Sequence, residues 1–240
     1  MVRFSNSGST PAARRAERQR VAILRAAASV FRRRGFAAAG MRDIAVAADI
    51  SPANLYHYFA GKNEILFFCQ DRTLDRLISA VDRARTDRGA LPARLHALAT
   101  AHVRCIVDEV EGSAAHFEVD ALPPRLRSRI VAKRDRYERA VRALVAAGIK
   151  RGNLAHTDAT IVTRAFLGAL NWTAQWFRPD GPRGSEPIAT LVADYAVAGL
   201  INTRGNSRVK STTRSDRAAR QRRIDTGRVR AIQNVARGAS

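Results

Sequence analysis

The sequence predicts an all-α protein, with a compact N-terminal three-helix unit of helix-turn-helix spacing followed by a larger helical body. Three observations carry this. Ala, Arg and Leu are abundant while strand signals are scarce. Segment after segment repeats apolar residues at three- and four-residue steps. The stretch 41–62, MRDIAVAADISPANLYHYFAGK, reads as two short helices around a tight turn. With 240 residues, 46% of them apolar, the chain can bury a sizeable core.

Residues 1–13 are small and polar and read as a disordered arm. The first helix is expected from about Ala16 to Arg34, with Val21, Leu24, Ala28 and Phe31 inward. Gly35 stops it and Phe36 plugs the three-helix core. The second helix is expected from Met41 to Ala48 and the third from Pro52 to Phe59. Ser51 is an N-cap and Pro52 a first helical residue with preset φ. Ile44, Ala45, Ile50, Leu55 and Phe59 converge on one small core. A fourth helix opens at Lys62 and runs to about Arg85 with Ile65, Leu66, Cys69, Leu74, Leu77 and Val81 inward.

Gly89 and Pro92 break the pattern. A fifth helix is expected over Leu91–Glu111, then a short piece around Ala114–Asp120, then a long helix from Leu122–Pro123–Pro124 to Gly148. The outer face of that long helix is a basic ladder from Arg125 to Arg142, read as a solvated surface, with an anchor for an anionic ligand as the alternative. Thr157 or Asp158 caps the next helix, which reaches Phe177, and the last runs from Glu186 to about Ile201. Both are apolar on more than one side, which points to a subunit interface.

The formal net charge is +21 and is uneven. Residues 1–20 carry five Arg against one Glu, and residues 202–240 carry eleven Lys/Arg against two Asp. Cation excess at both ends suits nucleic acid. Residues 202–240 read as a disordered basic tail, with a sequence-blind clamp on DNA as a hypothesis for its role. Cys69 and Cys105 stand alone, so neither a disulfide framework nor a metal site is expected. The five histidines lack ligand spacing, and no phosphate loop, nucleophile elbow or carboxylate pair stands out. An enzyme is therefore not expected, nor is a cofactor. No apolar run has the length of a membrane span and no secretory leader is present, so a cytoplasmic, nucleoid-associated protein is expected.

On spacing alone the stretch 41–62 is either a plain helical hairpin or a DNA reader. The residues Phe31–Arg32–Arg33–Arg34–Gly35–Phe36, Met41–Arg42–Asp43–Ile44–Ala45, and Ile50–Ser51–Pro52–Ala53–Asn54–Leu55–Tyr56–His57–Tyr58–Phe59 with Lys62 favour the second reading. They resemble the DNA-binding domain of the TetR family of transcriptional regulators over about residues 17–68. Gly40, Asp49 and Asn54 depart from the usual family pattern of Thr, Gly and Thr. The resemblance implies a DNA-binding unit at 14–65 and a ligand-binding and dimerisation unit at 66–201. Arg42 would make a guanine contact and Ser51 cap the reading helix. Pro52 and Ala53 would meet thymine methyls, and Tyr56, His57 and Lys62 would hold phosphates.

A second set, Leu122–Pro123, Arg134–Asp135, Tyr137–Glu138 and Asn171–Trp172 through Trp176–Phe177–Arg178–Pro179, is similar to the body of TetR relatives controlling fatty-acid, aromatic-acid and sterol breakdown. Several of these respond to coenzyme A thioesters. The resemblance implies a homodimeric repressor, released from an inverted-repeat operator on double-stranded DNA by a small-molecule effector, with an acyl- or steroid-CoA thioester as one option. Phe68, His102, Phe117, Tyr137, Trp172 and Trp176 are then expected to line the effector site, with Arg134 and Arg178 on its phosphates. A sequence-tolerant architectural nucleic-acid binder is the alternative. The two differ in whether footprinting finds a few palindromes or broad coverage.

Overall fold

The computed structural model describes residues 10–107 and 119–201. The basic tail, most of the N-terminal arm, Phe117 and the short piece expected before Asp120 lie outside them. The described residues form α1 (Pro11–Ala38), α2 (Met41–Ala47), α3 (Pro52–Tyr58), α4 (Lys62–Thr86), α5 (Leu91–Val107), a single 3-10 turn (Val119–Ala121), α6 (Pro124–Lys150), α7 (Ala159–Trp176) and α8 (Ser185–Ala198). No strand occurs among them.

α1 begins at Pro11, ahead of the expected Ala16. Thr10 accepts a hydrogen bond from the Ala13 amide at 3.2 Å and Pro11 occupies the first turn, a cap-and-proline start. The expected stop at Gly35 is a break instead. Its φ of 75° and ψ of 157° are non-helical, and a last turn continues to Ala38. This bend carries Phe36 back under α1, where its ring packs on Phe31 with centroids 5.2 Å apart.

The three-helix head closes on Ile23, Leu24, Phe31, Phe36, Ile44, Ala45, Leu55 and Phe59, all buried, with Ile50 half-buried beside them. The turn between α2 and α3 needs one left-handed residue, and Asp49 supplies it at φ 53°. Gly40 has no side chain to cap α2. The Asp43 carboxylate does that work by accepting from the Gly40 amide at 3.0 Å, while its other oxygen takes Arg34 at 2.6 Å. Ser51 caps α3 through the Asn54 amide at 3.1 Å.

The body is built on α4, whose expected inward residues are all buried. α4 packs on α5 and α6, and α5 packs in turn on α7 and α8. Gly148 in α6 sits where a side chain has no room, since a Cβ there would collide with the Leu91 and Leu154 side chains. The basic ladder of α6 is not simply solvated. Lys133 reaches Asp71 at 2.6 Å and Asp75 at 2.7 Å on α4, and the Arg129 guanidinium lies 4.6 Å from the Phe67 ring centroid. These contacts fasten α6 to α4 along their length. Cys69 and Cys105 are both buried. No helix among the described residues is long and apolar enough to cross a membrane.

Candidate functional site

The recognition face follows from which side of α3 is consumed by the core. Leu55 and Phe59 are fully inward, which leaves Ser51, Pro52, Ala53, Tyr56 and His57 exposed on the opposite side. Tyr56 is 55% exposed and lies outside the core. Arg42, near the start of α2, is exposed as well. A short helix with a polar and aromatic outer face, fixed by a preceding helix across a tight turn, is the geometry that enters a major groove.

Lys62 differs from its expected place on a phosphate. Its ammonium donates to the carbonyls of Phe36, Ala37 and Ala39 at 3.0, 2.9 and 3.2 Å, and lies 4.8 Å from the Phe36 ring centroid. An ammonium has three protons, and all three are taken. The bend after Gly35 leaves these carbonyls without helical donors, and the start of α4 answers them with a cation. Lys62 therefore anchors the head to α4. Replacing it with Met is expected to lower the thermal stability of the whole chain by about 1–3 kcal/mol, the usual penalty for stranded acceptors. A melting curve unchanged from wild type would contradict this role.

Two large grooves open among the described residues, each shared between α1 and the body. One, of about 920 Å³, runs between α1, the end of α3, α4 and α5. Leu24, Phe59, Phe68, Ala101 and Cys105 contribute apolar surface, and Arg20, Arg72 and Arg104 contribute charge. Arg20 lies 5.7 Å from the ring centroids of both Phe59 and Phe68, so one cation joins α1 to the exit of α3 and to α4. Glu17 and Arg72 pair at 3.4 Å across the same seam.

Among the described residues expected to line an effector site, Phe68 is the one on the wall of this groove. His102 and Tyr137 are buried and satisfy each other. His102 Nδ1 lies 2.8 Å from Tyr137 Oη, and Nε2 lies 2.9 Å from Asn171 Oδ1. Burial pushes the His102 pKa down to about 4, against the Asn171 hydrogen bond, and burial pushes the Tyr137 hydroxyl up, with Cys105 adding to it. Trp172 and Trp176 face outward on α7, at 64% and 47% exposure, and Arg178 is exposed on the loop after it. These three belong to an outer surface because α7 turns its Phe166–Leu170 side inward instead. Arg134 is half-buried, with its pKa lowered by burial and partly restored by Asp120. It does not line the groove.

A capped three-helix reader head on an all-helical body with a ligand-sized groove defines a helix-turn-helix transcription factor of the one-component kind. Residues 23–67 match the family described as bacterial regulatory proteins, tetR family, and residues 89–200 match a tetracyclin repressor-like C-terminal domain. The chain belongs to the TetR family of transcriptional regulators, and it is not an enzyme. It is 33% identical to the TetR-family regulator PfmR of Thermus thermophilus, with a TM-score of 0.66 over 74% of this chain and 98% of that one. It is 26% identical to the transcriptional repressor KstR2 of Mycolicibacterium smegmatis, over 82% of this chain and 96% of that one. AibR, solved in complex with isovaleryl coenzyme A and operator DNA, is 25% identical, with a TM-score of 0.63 over 76% of this chain and 98% of AibR.

Proposed function

We propose that this regulator is a homodimeric repressor that holds an inverted-repeat operator and leaves it when an amphipathic effector, a coenzyme A thioester, occupies the groove between α1, α4 and α5. Residues 14–65 are the DNA-binding unit and residues 66–201 the effector-binding and dimerisation unit, working in the cytoplasm. The observation that carries the reading is the division of α3, with Leu55 and Phe59 in the core and Pro52, Ala53, Tyr56 and His57 left outward. A groove with an apolar floor and arginines on its walls fits a ligand with an apolar tail and an anionic end. AibR, with its bound isovaleryl coenzyme A and operator, supports the same pairing of ligand and DNA.

Base discrimination is assigned to Arg42, whose fork can meet the acceptors of a guanine edge, while Tyr56 and His57 contact phosphates. Arg42→Ala is expected to flatten base preference at one position in each half-site, with a loss of about 1–3 kcal/mol there. Selection from a randomised operator library reads this directly. A variant that keeps the wild-type preference at every position would remove Arg42 from base reading. An effector acts only through its differential affinity for the DNA-competent and released states. Its addition must therefore weaken operator binding by the same factor by which operator weakens effector binding.

A further inference from the structure

The second groove, of about 840 Å³, adjoins the first. Arg76 of α4 and Arg104 of α5 line both. Its remaining charged residues, Arg25 and Arg32, come from α1, and no carboxylate occurs among the described residues that line it. This contrasts with the first groove, where Glu17, Asp71 and Asp75 offset the arginines. The Arg32 Nε is buried and has no hydrogen-bond partner. Gly184 and Ser185 stand on the same wall, at the start of α8, a helix with no side-chain cap whose positive end adds to the field. Arg104 also meets Glu186 at 3.1 Å, with both side chains more than half exposed, so that pair can open to an incoming anion.

Four guanidinium groups from three helices and an uncapped helix start give this groove donors and positive field suited to phosphate oxygens. A guanidinium offers phosphate a planar pair of donors, which Lys does not. Because the arginine-lined groove continues the apolar one, the ligand it suits is a phosphate ester with an apolar arm. We infer that the phosphate-bearing end of the effector is held by Arg25 and Arg32 of the DNA-binding head together with Arg76 and Arg104 of the body. This rests on the effector reading above and deepens it, since the expected phosphate partners Arg134 and Arg178 line neither groove. The ligand then spans the joint between head and body and acts on α1 directly. The head reports occupancy without any relay through the buried centre of the body.

Calorimetric titration of the full chain tests this with four probes: decanoyl-CoA, free coenzyme A, decanoate and inorganic pyrophosphate. The variants are Arg25→Gln/Arg32→Gln, Arg76→Gln, and Arg33→Gln as an exposed control on the same helix. The double variant and Arg76→Gln are each expected to bind decanoyl-CoA and coenzyme A at least about ten-fold more weakly, with decanoate affinity unchanged and the control like wild type. Operator release is expected to need correspondingly more decanoyl-CoA. Arg76→Gln, made from the body side, repeats the test should the head variant fold poorly. If wild type takes decanoyl-CoA and both variants take it equally well, this inference fails while the effector reading stands. Pyrophosphate binding as tight as coenzyme A would also overturn it, because a bare anion site needs no ester. A wild-type chain that binds no acyl-CoA sinks the effector reading itself.

Discussion

In the proposed homodimer, Trp172→Glu is expected to separate the protein into monomers and to abolish high-affinity operator binding while leaving each chain folded. The outer faces of α7 and α8 carry Ile161, Trp172, Trp176, Leu191 and Tyr195, open to solvent at 67%, 64%, 47%, 53% and 79%. On α7 the residues Ile161, Ala165, Gly168, Trp172 and Trp176 share one helical face, and nothing lies within 4 Å of a Cβ built at Gly168. Small residues in mid-seam let a second helix approach, and the tryptophans flank it. A single chain does not leave such a patch in water without reason. In a two-fold interface every substitution occurs twice, and a buried tryptophan is worth about 2 kcal/mol or more at such a centre. Two introduced carboxylates would weaken association by about 4 kcal/mol, roughly a thousand-fold. A monomer grips one half-site with one set of phosphate contacts, and the intramolecular advantage of the second head is gone. Light scattering and operator titration read both effects. A Trp172→Glu chain that stays dimeric and keeps operator affinity would move the interface elsewhere.

The head was legible because its signals are local. Ser51–Pro52, the alternation of Leu55 and Phe59 against Tyr56 and His57, and the left-handed tolerance of Asp49 each act within a few residues. Together they fix α2, the turn and α3 to within a residue. The Thr10–Pro11 start of α1 is a signal of the same kind, and reading the flanking residues as an arm overlooked it. The surroundings of Lys62 are not local in the same way. Its acceptors lie at positions 36, 37 and 39, brought to it by the bend at Gly35, and no spacing rule links them. The grooves failed in the same way. Arg20, Arg25 and Arg32 are on α1 but line grooves together with residues of α4 and α5, and that grouping is a property of the tertiary fold. Residue type alone marks the aromatic residues as candidates to line a ligand site, and type does not distinguish an outward face from a core. Trp172 went outward, and His102 and Tyr137 went inward to each other.

That inward pair makes acid the condition under which the body is weakest. Asn171 Oδ1 can only accept, so His102 Nε2 carries the proton, and Nδ1 accepts from the Tyr137 hydroxyl. The neutral ring has both nitrogens satisfied, and it ties α5 to α6 and α7 at one point. A second ring proton would face the hydroxyl it now accepts from, and neither hydrogen-bond partner of the ring is a carboxylate that could offset the charge. Burial accordingly holds the pKa of His102 at about 4, well below its ordinary 6.5. Between these two values the unfolded chain takes up a proton that the native chain refuses, so stability rises with pH across that window. The contribution is complete above pH 6.5 and is lost as pH falls toward 4. The whole displacement is worth about 3 kcal/mol, and about 2 of that is gone by about pH 5. His102→Gln retains a donor and an acceptor but cannot titrate. Urea unfolding of wild type at about pH 7 and pH 5 is expected to show a loss about 2 kcal/mol larger than that of His102→Gln over the same interval. Parallel losses in the two proteins would mean that the imidazole does not sit neutral in the core. A smaller wild-type loss would mean that its protonated form is the one the fold prefers.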